Sequence, residues 1–292
     1  MMLDARYHTF YVLSQTKSYT ETARQLFITQ PAVSQQIKGL EVDLGVQLVR
    51  YQRPQLTITP AGVELAAFIQ RVQVQADKLV GTLRHPQAAQ QVTFSTTLSL
   101  SEFLAPQLIQ RLQQDYRQIT CQVTNTQAAL TAIDEGTSDF ALIEGNFDKS
   151  RYDYEIVRQE PFVAVVAADQ PLAQRQTVTW ADLTTLPLIV REEGSGSREI
   201  LVNLAQAANV TLAEFPQLLT VNNPAAIRQL LLRGVGVSFL YRLVVADELA
   251  AGKLKVLQLP AGHLRHDLDL VYARDSFYTA AYRQWARELR GR

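Results

Sequence analysis

Cysteine, histidine and long apolar runs are all scarce in this 292-residue chain. Cys121 is the only cysteine, so no intramolecular disulfide can form, as is usual in a reducing compartment. No apolar run reaches the roughly 18 residues that a membrane span needs, and the first residues show no signal-peptide pattern. We therefore expect a cytoplasmic protein that does not contact membranes.

The residue groupings that support catalysis or metal binding are also missing. His263 and His266 are three residues apart, but no cysteine or acidic cluster at metal-ligand spacing surrounds them, so a solvated loop is expected. The sequence Gly194-Ser195-Gly196 is not a nucleophile elbow. A third glycine at dinucleotide-binding spacing is absent after Gly234-Val235-Gly236. The sequence thus predicts neither an enzyme nor a resident cofactor.

Charge is balanced over the whole chain but not along it. There are 28 basic and 28 acidic residues, and the first 90 residues hold nine basic and six acidic ones, a net charge of +3. The remainder therefore carries −3. This weak asymmetry has the sign that DNA binding at the N-terminus requires.

Three short helices are predicted in the first 45 residues. Leu3, Tyr7, Phe10 and Tyr11 have amphipathic spacing. A capping box at Ser18–Glu21, in which each side chain bonds the backbone N–H at the other's position, should start a second helix. We expect this helix to bury Tyr19, Ala23, Leu26 and Phe27.

The third helix should follow a tight turn, with Thr29 or Gln30 as N-cap and Pro31 in the first turn. Its predicted core stripe is Val33, Ile37, Leu40 and Leu44, and Gly45 should end it. The opposite face carries side chains that can bind base edges or phosphate, namely Gln30, Pro31, Ser34, Gln35 and Lys38.

A small hairpin, or wing, is expected next from the apolar segments Val46–Val49 and Leu56–Ile58. Arg50 and Arg53 would lie near its tip and reach the DNA backbone. Three helices and a basic wing make a winged helix-turn-helix, which we expect over residues 1–59.

One stretch of this region closely resembles the DNA-binding domain of the LysR-type transcriptional regulators. The matching positions are Ser18–Thr20, Ala23, Leu26, Thr29–Ile37, Leu40-Glu41, Leu44–Leu48, Leu56-Thr57 and Thr59–Gly62. Two positions depart from the family pattern: Val49 stands where the family usually has Phe, and Thr22 where it usually has Ala. The resemblance implies a promoter as the DNA partner. A three-helix bundle unrelated to DNA is the alternative, which the whole run disfavours.

A long connecting helix with a linker is predicted over residues 60–90. Its apolar residues are spaced as a heptad seam, formed by Leu65, Ile69, Val72, Ala76, Leu79 and Leu83. The seam could pack on this chain's own core or pair with the same helix of a second subunit. We favour pairing, as the resemblance also implies, which would give a dimer or a dimer of dimers.

Alternating strand and helix patterns over residues 91–292 predict an α/β domain with a parallel or mixed sheet. The resemblance implies a two-lobed effector domain similar to periplasmic solute-binding proteins. It places lobe 1 at 91–161 and 268–292, and lobe 2 at 162–267. Expected elements include a helix over Ser101–Tyr116 and strands over Phe162–Ala167 and Leu268–Tyr272.

Ligands of such folds bind where strands end and helices begin. Several strand-to-helix turns carry hydroxyls, glycines or charge, and the resemblance places the effector pocket there. The candidates are Thr97, Ser99, Glu144, Gly194, Ser195, Ser197, Arg198 and Asn222. Arg198 and the helix starts favour a small anionic effector, whereas Glu144 opposes a densely charged anion unless it pairs with Arg198 or faces a cation. Each candidate alone has a plainer interpretation as a helix cap or turn residue.

The sequence therefore gives two functional hypotheses of different classes. The first is a DNA-binding transcription regulator controlled by a small effector, or co-inducer, bound between the lobes. The second is a solute-binding protein or an enzyme built on the α/β lobes, with an incidental helical N-terminus. The missing signal peptide and catalytic groups favour the first.

Overall fold

A computed structural model describes residues 4–52, 55–84, 90–259 and 264–290. Two compact units make up the chain, and the main boundary between them lies at Ala89 and Gln90. The first unit contains α1, α2, α3, the hairpin strands β1 and β2, and α4. Their bounds are Ala5–Thr16, Tyr19–Leu26, Gln30–Leu44, Val49–Gln52, Gln55–Ile58 and Pro60–Arg84.

The starts of these helices follow from their caps. Ser18 accepts a hydrogen bond from the N–H of Glu21 at 3.3 Å, as predicted, and Thr29 accepts from Ala32 at 3.3 Å. The second half of the predicted capping box is wrong. The carboxylate of Glu21 bonds Arg24 instead, at 2.7 Å, because both side chains lie on the same exposed helix face.

The core of the first unit contains Phe10, Leu13, Ala23, Val33, Ile37, Leu40 and Leu48. Two core predictions were wrong. Phe27 is 95% exposed because it is the left-handed cap of α2, with φ 55°, where the chain leaves the helix. Leu44 is 39% exposed at the last turn of α3. The first wing strand also begins three residues later than predicted, at Val49.

The predicted heptad seam of α4 has two parts that differ in burial. Ile69 is 3% exposed and packs in the core of the first unit, with Leu65 partly buried beside it. Leu79 and Leu83 are 44% and 72% exposed. The N-terminal part of the seam thus packs on its own chain, and the C-terminal part is exposed in the single chain.

The described part of the second unit forms a nine-stranded mixed sheet in the order β4-β3-β5-β11-β6-β9-β7-β8, with β10 paired to β6. Strands β3 to β11 span Gln91–Thr97, Gln118–Thr124, Phe140–Glu144, Tyr152–Ala167, Leu188–Val190, Leu218–Thr220, Val237–Tyr241, Leu254–Val256 and Leu264–Ala273. Helices α5 to α12 span Leu98–Ser101, Ala105–Leu112, Thr126–Asp134, Trp180–Leu183, Gly196–Ala207, Pro224–Leu232, Ala246–Ala250 and Thr279–Arg290.

Two parallel strand sets give this unit its two lobes. In the first lobe β3 pairs in parallel with β4 and β5, and in the second β7 pairs in parallel with β8 and β9. The long antiparallel strands β6 and β11 lie between the sets and pair with each other. The predicted mixed α/β architecture is confirmed.

Several elements of the second unit differ from the sequence expectation. The helix predicted over Ser101–Tyr116 is shorter than expected: α6 spans Ala105–Leu112 and has Pro106 in its first turn, where proline is tolerated, and Ser101 ends the preceding helix α5. Strand β6 begins ten residues before the predicted Phe162. His266 lies half-buried in β11, opposite Glu160, rather than in a solvated loop; His263 lies outside the described residues.

Candidate DNA interface and effector site

Helix α3 separates its apolar and polar residues onto opposite faces. Val33, Ile37 and Leu40 are buried against α1 and α2. Gln30, Pro31, Gln35 and Lys38 are exposed on the other side, and Ser34 is half-buried among them. Gln36, which is not among the predicted contacts, accepts a hydrogen bond from the Thr9 hydroxyl at 2.6 Å and so holds α3 to α1.

The cations near this polar face differ in whether they are neutralised. Arg6 pairs with Asp43 at 2.6 Å, and Arg24 pairs with Glu21. Within the described residues, neither Lys38 nor Arg50 has an ion-pair partner, and both are exposed. Their charge remains available to a polyanion. Arg53 lies outside the described residues.

Glu41 fixes the wing relative to α3. One of its carboxylate oxygens accepts from the backbone N–H groups of Leu48 and Val49, at 2.7 and 3.2 Å. Arg50 is the residue after Val49 on β1, so its backbone is positioned by the same contact. A polar helix face beside a positioned basic hairpin is the arrangement with which winged helix-turn-helix proteins enter a major groove and contact the flanking phosphates.

The second unit places a carboxylate where its two lobes meet. Glu144 ends β5 and is completely buried. Its carboxylate accepts hydrogen bonds from the hydroxyl of Thr97, which ends β3, and from the hydroxyl of Ser197 on α9, the latter at 3.2 Å. The bond from Ser197 joins the second lobe to the first directly, and the bond from Thr97 lies within the first lobe.

Two glycines allow this junction to close. Gly145 has a φ of 97°, and a Cβ atom on it would lie 2.5 Å from the Cα atom of Gly196. A Cβ atom on Gly196 would lie 2.2 Å from the Glu144 carbonyl oxygen. The Thr126 hydroxyl bridges the same place, since it donates to that carbonyl at 3.0 Å and accepts from the Gly196 N–H at 3.2 Å.

Arg191 adds a second contact between the lobes. Its buried guanidinium donates to the Ser99 hydroxyl at 3.2 Å and pairs with the Glu192 carboxylate at 2.8 and 3.0 Å. Arg198 donates to the Arg191 carbonyl oxygen at 2.9 Å. Hereafter the hydrogen-bonded group is called the interlobe cluster, consisting of Thr97, Ser99, Glu144, Arg191 and Ser197.

Polar side chains near the cluster are of two kinds, those that cap a helix and those that make no hydrogen bond. Asn223 is the true cap of α10, since its side chain accepts from the Ala225 N–H at 2.8 Å; the predicted contact Asn222 is exposed beside it. Ser195 occupies the N-cap position of α9 but makes no capping bond. Its hydroxyl oxygen is buried and has no hydrogen-bond partner, and the same is true of the Tyr241 hydroxyl at the end of β9. Both hydroxyls therefore keep unused hydrogen-bonding capacity.

An open pocket of about 320 Å³ adjoins the start of α9. It contains three of the predicted contacts, Gly194, Ser195 and Arg198, together with Thr126 and Glu193. Arg198 lies 3.8 Å from Glu193, at the limit of an ion pair. The predicted effector residues thus fall into the interlobe cluster, the adjoining pocket, and the separate Asn222.

Burial sets the ionisation of the cluster. It raises the pKa of the Glu144 carboxyl, and the hydroxyl of Thr97 and the charge of Arg191 only partly oppose this. Burial likewise raises the pKa of Tyr241, and the nearby carboxylate of Glu144 adds to the effect. Burial thus disfavours the charged form of both side chains.

Arg191 and Tyr241 were missed as candidate site residues. Both lie where a strand of the second lobe ends, as Thr97 and Glu144 do in the first lobe. This position was the signal that could have revealed them. No group of residues suited to holding a metal ion occurs in the described ranges. Among the helices of those ranges, none has the length and apolar character to span a membrane.

Comparison with known proteins agrees with both halves of this description. Residues 5–63 match the bacterial regulatory helix-turn-helix protein, lysR family, and residues 85–292 match the LysR substrate binding domain. An uncharacterized HTH-type transcriptional regulator of Mycobacterium bovis is 28% identical over 278 residues, covering 91% of this chain and 89% of that protein. The regulator CbbR of Xanthobacter flavus is 26% identical over 264 residues, covering 88% and 78%.

Solved structures share the fold at low sequence identity. Full-length LysG of Corynebacterium glutamicum, solved with bound effector Arg, is 15% identical with a TM-score of 0.69, and the match covers 99% of this chain and 98% of LysG. The CcmR regulatory domain of Synechocystis, in complex with 2-PG, is 18% identical with a TM-score of 0.59, and covers 69% and 96%. With a substrate-binding-domain match over most of its length and a helix-turn-helix match before it, this chain belongs to the LysR family of DNA-binding transcription regulators.

Proposed function

We propose that this regulator binds promoter DNA through Gln30, Ser34, Gln35 and Lys38 and is controlled by a small anionic effector at the interlobe cluster. One observation carries the proposal: the hydrogen bonds between the lobes meet at Glu144 and Arg191, and two buried hydroxyls beside them have no partner. A ligand that binds there changes the energy of the closed arrangement of the lobes. Such a difference between arrangements is what effector control requires.

The polar groups available at the site favour an anion. The Ser195 and Tyr241 hydroxyls can donate, the start of the twelve-residue helix α9 carries partial positive charge, and Arg191 and Arg198 lie close by. LysG and the CcmR domain, which share the fold, were solved with Arg and 2-PG respectively. These ligands support a small polar effector without identifying it.

We further propose that the exposed part of α4 pairs with the same helix of a second subunit. Leu79 and Leu83 continue the heptad spacing of Ile69 and Ala76 beyond the core of the first unit. Pairing would bury these side chains and present two α3 helices to two half-sites. In this proposal, residues 1–59 bind DNA, 60–90 join subunits, and 91–292 bind the effector.

The test combines DNA binding with effector screening on the full chain. Fluorescence anisotropy with DNA from upstream of the protein's own gene should show sequence-selective binding. A panel of small anions and neutral metabolites should include one that stabilises the protein thermally, by about 2.7 kcal/mol at 100 times its dissociation constant. Ser195→Trp, which fills the site, should abolish that stabilisation and leave DNA affinity in the absence of effector intact. If the effector still stabilised Ser195→Trp, its binding site would lie elsewhere in the protein.

A further inference from the structure

A further ion pair joins the two lobes and shares no residue with the interlobe cluster. Arg228 lies on α10 of the second lobe, and its guanidinium donates a hydrogen bond to the carboxylate of Glu102 at 3.1 Å. Glu102 directly follows α5 of the first lobe. The Arg228 side chain is 17% exposed and that of Glu102 is 52% exposed. The contact between the lobes therefore includes a charged pair whose arginine is largely withdrawn from solvent.

The guanidinium of Arg228 is also held to its own lobe. Its Nη1 atom donates to the backbone carbonyl oxygen of Val244, between β9 and α11, at 2.9 Å, while its Nη2 atom bonds Glu102. The third nitrogen, Nε, lies 3.8 Å from the carboxylate of Glu248 on α11, which is too far for a hydrogen bond. If the lobes separate, Val244 and Glu248 therefore stay beside Arg228 and Glu102 does not.

The carboxylate of Glu248 is incompletely bonded in this arrangement. Its side chain is only 17% exposed, and one of its oxygens is buried without a hydrogen-bond partner among the described residues. Leaving a buried carboxylate oxygen unbonded costs free energy. One guanidinium thus lies between two carboxylates, one on each lobe, and hydrogen-bonds the one on the other lobe.

We propose that Arg228 is a positioning residue for effector control, whose guanidinium bonds Glu102 while the lobes are together and turns to Glu248 when they separate. Breaking the ion pair of a largely buried arginine is costly if no other anion replaces the lost one. Glu248 can replace Glu102, because it is close by and belongs to the same lobe as Arg228. The change of partner keeps the two arrangements close in free energy, so an effector with a modest preference for one of them can shift the balance.

The proposal rests on the proposed function, in which the arrangement of the lobes carries effector control. It predicts effects of opposite sign for the two carboxylates. Removing the charge of Glu102 should favour separated lobes, because the contact across the lobes is weakened. Removing the charge of Glu248 should favour joined lobes, because the separated arrangement loses its replacement partner. If Glu248 merely held Arg228 toward Glu102, removing its charge would favour separation instead.

Two backbone amides report directly on the separation of the lobes. The Gly196 N–H of the second lobe donates to the Thr126 hydroxyl of the first at 3.2 Å. In the other direction, the Gln127 N–H of the first lobe donates to the Gly194 carbonyl oxygen of the second at 3.3 Å. Such amides exchange their hydrogen with solvent after these bonds open, so their exchange rates follow the population of separated lobes.

The experiment measures amide hydrogen exchange by nuclear magnetic resonance in the full chain, with no effector added. Glu102→Gln should speed exchange at Gly196 and Gln127 by up to about fivefold, as expected for a partly exposed ion pair. Glu248→Gln should slow exchange at the same two amides by a similar factor. If Glu248→Gln fails to fold, Glu248→Asp, which keeps the charge but withdraws it from Arg228, should slow exchange to a smaller extent.

Two kinds of control separate the arrangement of the lobes from their stability. Glu288→Gln removes the charge from an ion pair with Arg111 that joins α12 to α6 within the first lobe, and it should leave the reporting amides unchanged. The amides of Asp139 and Val221 are bonded within the first and the second lobe respectively. They should exchange at the wild-type rate in every variant.

Faster or unchanged exchange in the Glu248 variant would overturn the proposal, and so would unchanged exchange in Glu102→Gln. An equal change at Asp139 or Val221 would also overturn it, because the substitution would then act on the stability of a lobe. Since no effector enters the measurement, its outcome does not depend on the effector screen. If the screen failed while the exchange rates changed as expected, the proposed effector site would be wrong and the role of Arg228 in positioning the lobes would stand.

Discussion

Whether a polar side chain in this protein is structural or free to bind a ligand depends on its existing partners. Gln36 and Gln30 are six residues apart on α3, yet Gln36 is bonded to Thr9 and Gln30 faces solvent. Asn223 caps α10 through its side chain, whereas Ser195 occupies the same kind of position on α9 and its hydroxyl makes no hydrogen bond. Residue type alone does not distinguish these cases.

This distinction predicts different effects for two exposed residues of the DNA interface. Gln30→Ala should cost about 1–3 kcal/mol of binding free energy and change sequence preference, because Gln can bond a base edge. Arg50→Ala should weaken binding to every sequence alike, because a phosphate contact is lost. The slope of the logarithm of the binding constant against the logarithm of the salt concentration should become shallower by about one. Anisotropy with operator and scrambled DNA at several salt concentrations measures both.

Gln229→Ala provides the control for these variants, since Gln229 is an exposed glutamine on α10 of the second unit. It should leave DNA binding unchanged. If Arg50→Ala altered sequence preference and Gln30→Ala did not, the placement of α3 in the groove would be wrong.

At the scale of elements, the sequence predicted most helices and strands but not where the chain leaves them. Periodicity gives the buried face of a helix, and caps such as Ser18 and Thr29 give its start. The exposure of Phe27 depends on a left-handed cap, which a run of apolar residues does not reveal. The start of α6 at Ala105 was foreseeable, because Pro106 is poorly tolerated inside a helix but fits its first turn.

The sequence predicted only some of the residues of the effector site. Thr97, Glu144 and Ser197 were found because each adjoins a strand-to-helix turn with polar residues. Arg191 and Tyr241 also adjoin strand ends, but an arginine and a tyrosine there have equally good structural interpretations. Only the long-range bond of Arg191 to Ser99 shows that one of them contributes to the junction.

Helix α4 gives a prediction at this scale, because its two halves have different partners. Ile69→Ala should destabilise the first unit by about 2–5 kcal/mol, since it leaves a cavity in the core. Leu79→Lys should leave that stability nearly unchanged but shift sedimentation equilibrium toward the monomer. Circular dichroism during urea unfolding measures the first effect. An unchanged mass for Leu79→Lys would show that the exposed half of α4 does not join subunits.

At the scale of the whole molecule, β6 and β11 connect the two lobes as a continuous antiparallel pair. A change in the middle of either strand therefore affects the stability of the entire second unit. Asp269 occupies such a position on β11, buried next to an irregularity in the pairing at Leu268 and Asp269. One of its carboxylate oxygens has no hydrogen-bond partner.

Asp269 predicts how the stability of this unit changes with pH. Burial, with a smaller contribution from the charge of Asp267, raises its pKa from 3.8 to about 7. The folded state therefore holds a proton that the unfolded state has released, and the stabilising contribution of this group falls as the pH rises from about 4 through about 7.

Asp269→Asn removes the titration. We expect it to raise the free energy of unfolding by about 2 to 3 kcal/mol more at pH 8 than at pH 5. Urea unfolding followed by tryptophan fluorescence measures this, because Trp180 and Trp285 both lie in the second unit. An equal effect at both pH values would mean that Asp269 is ionised throughout that range.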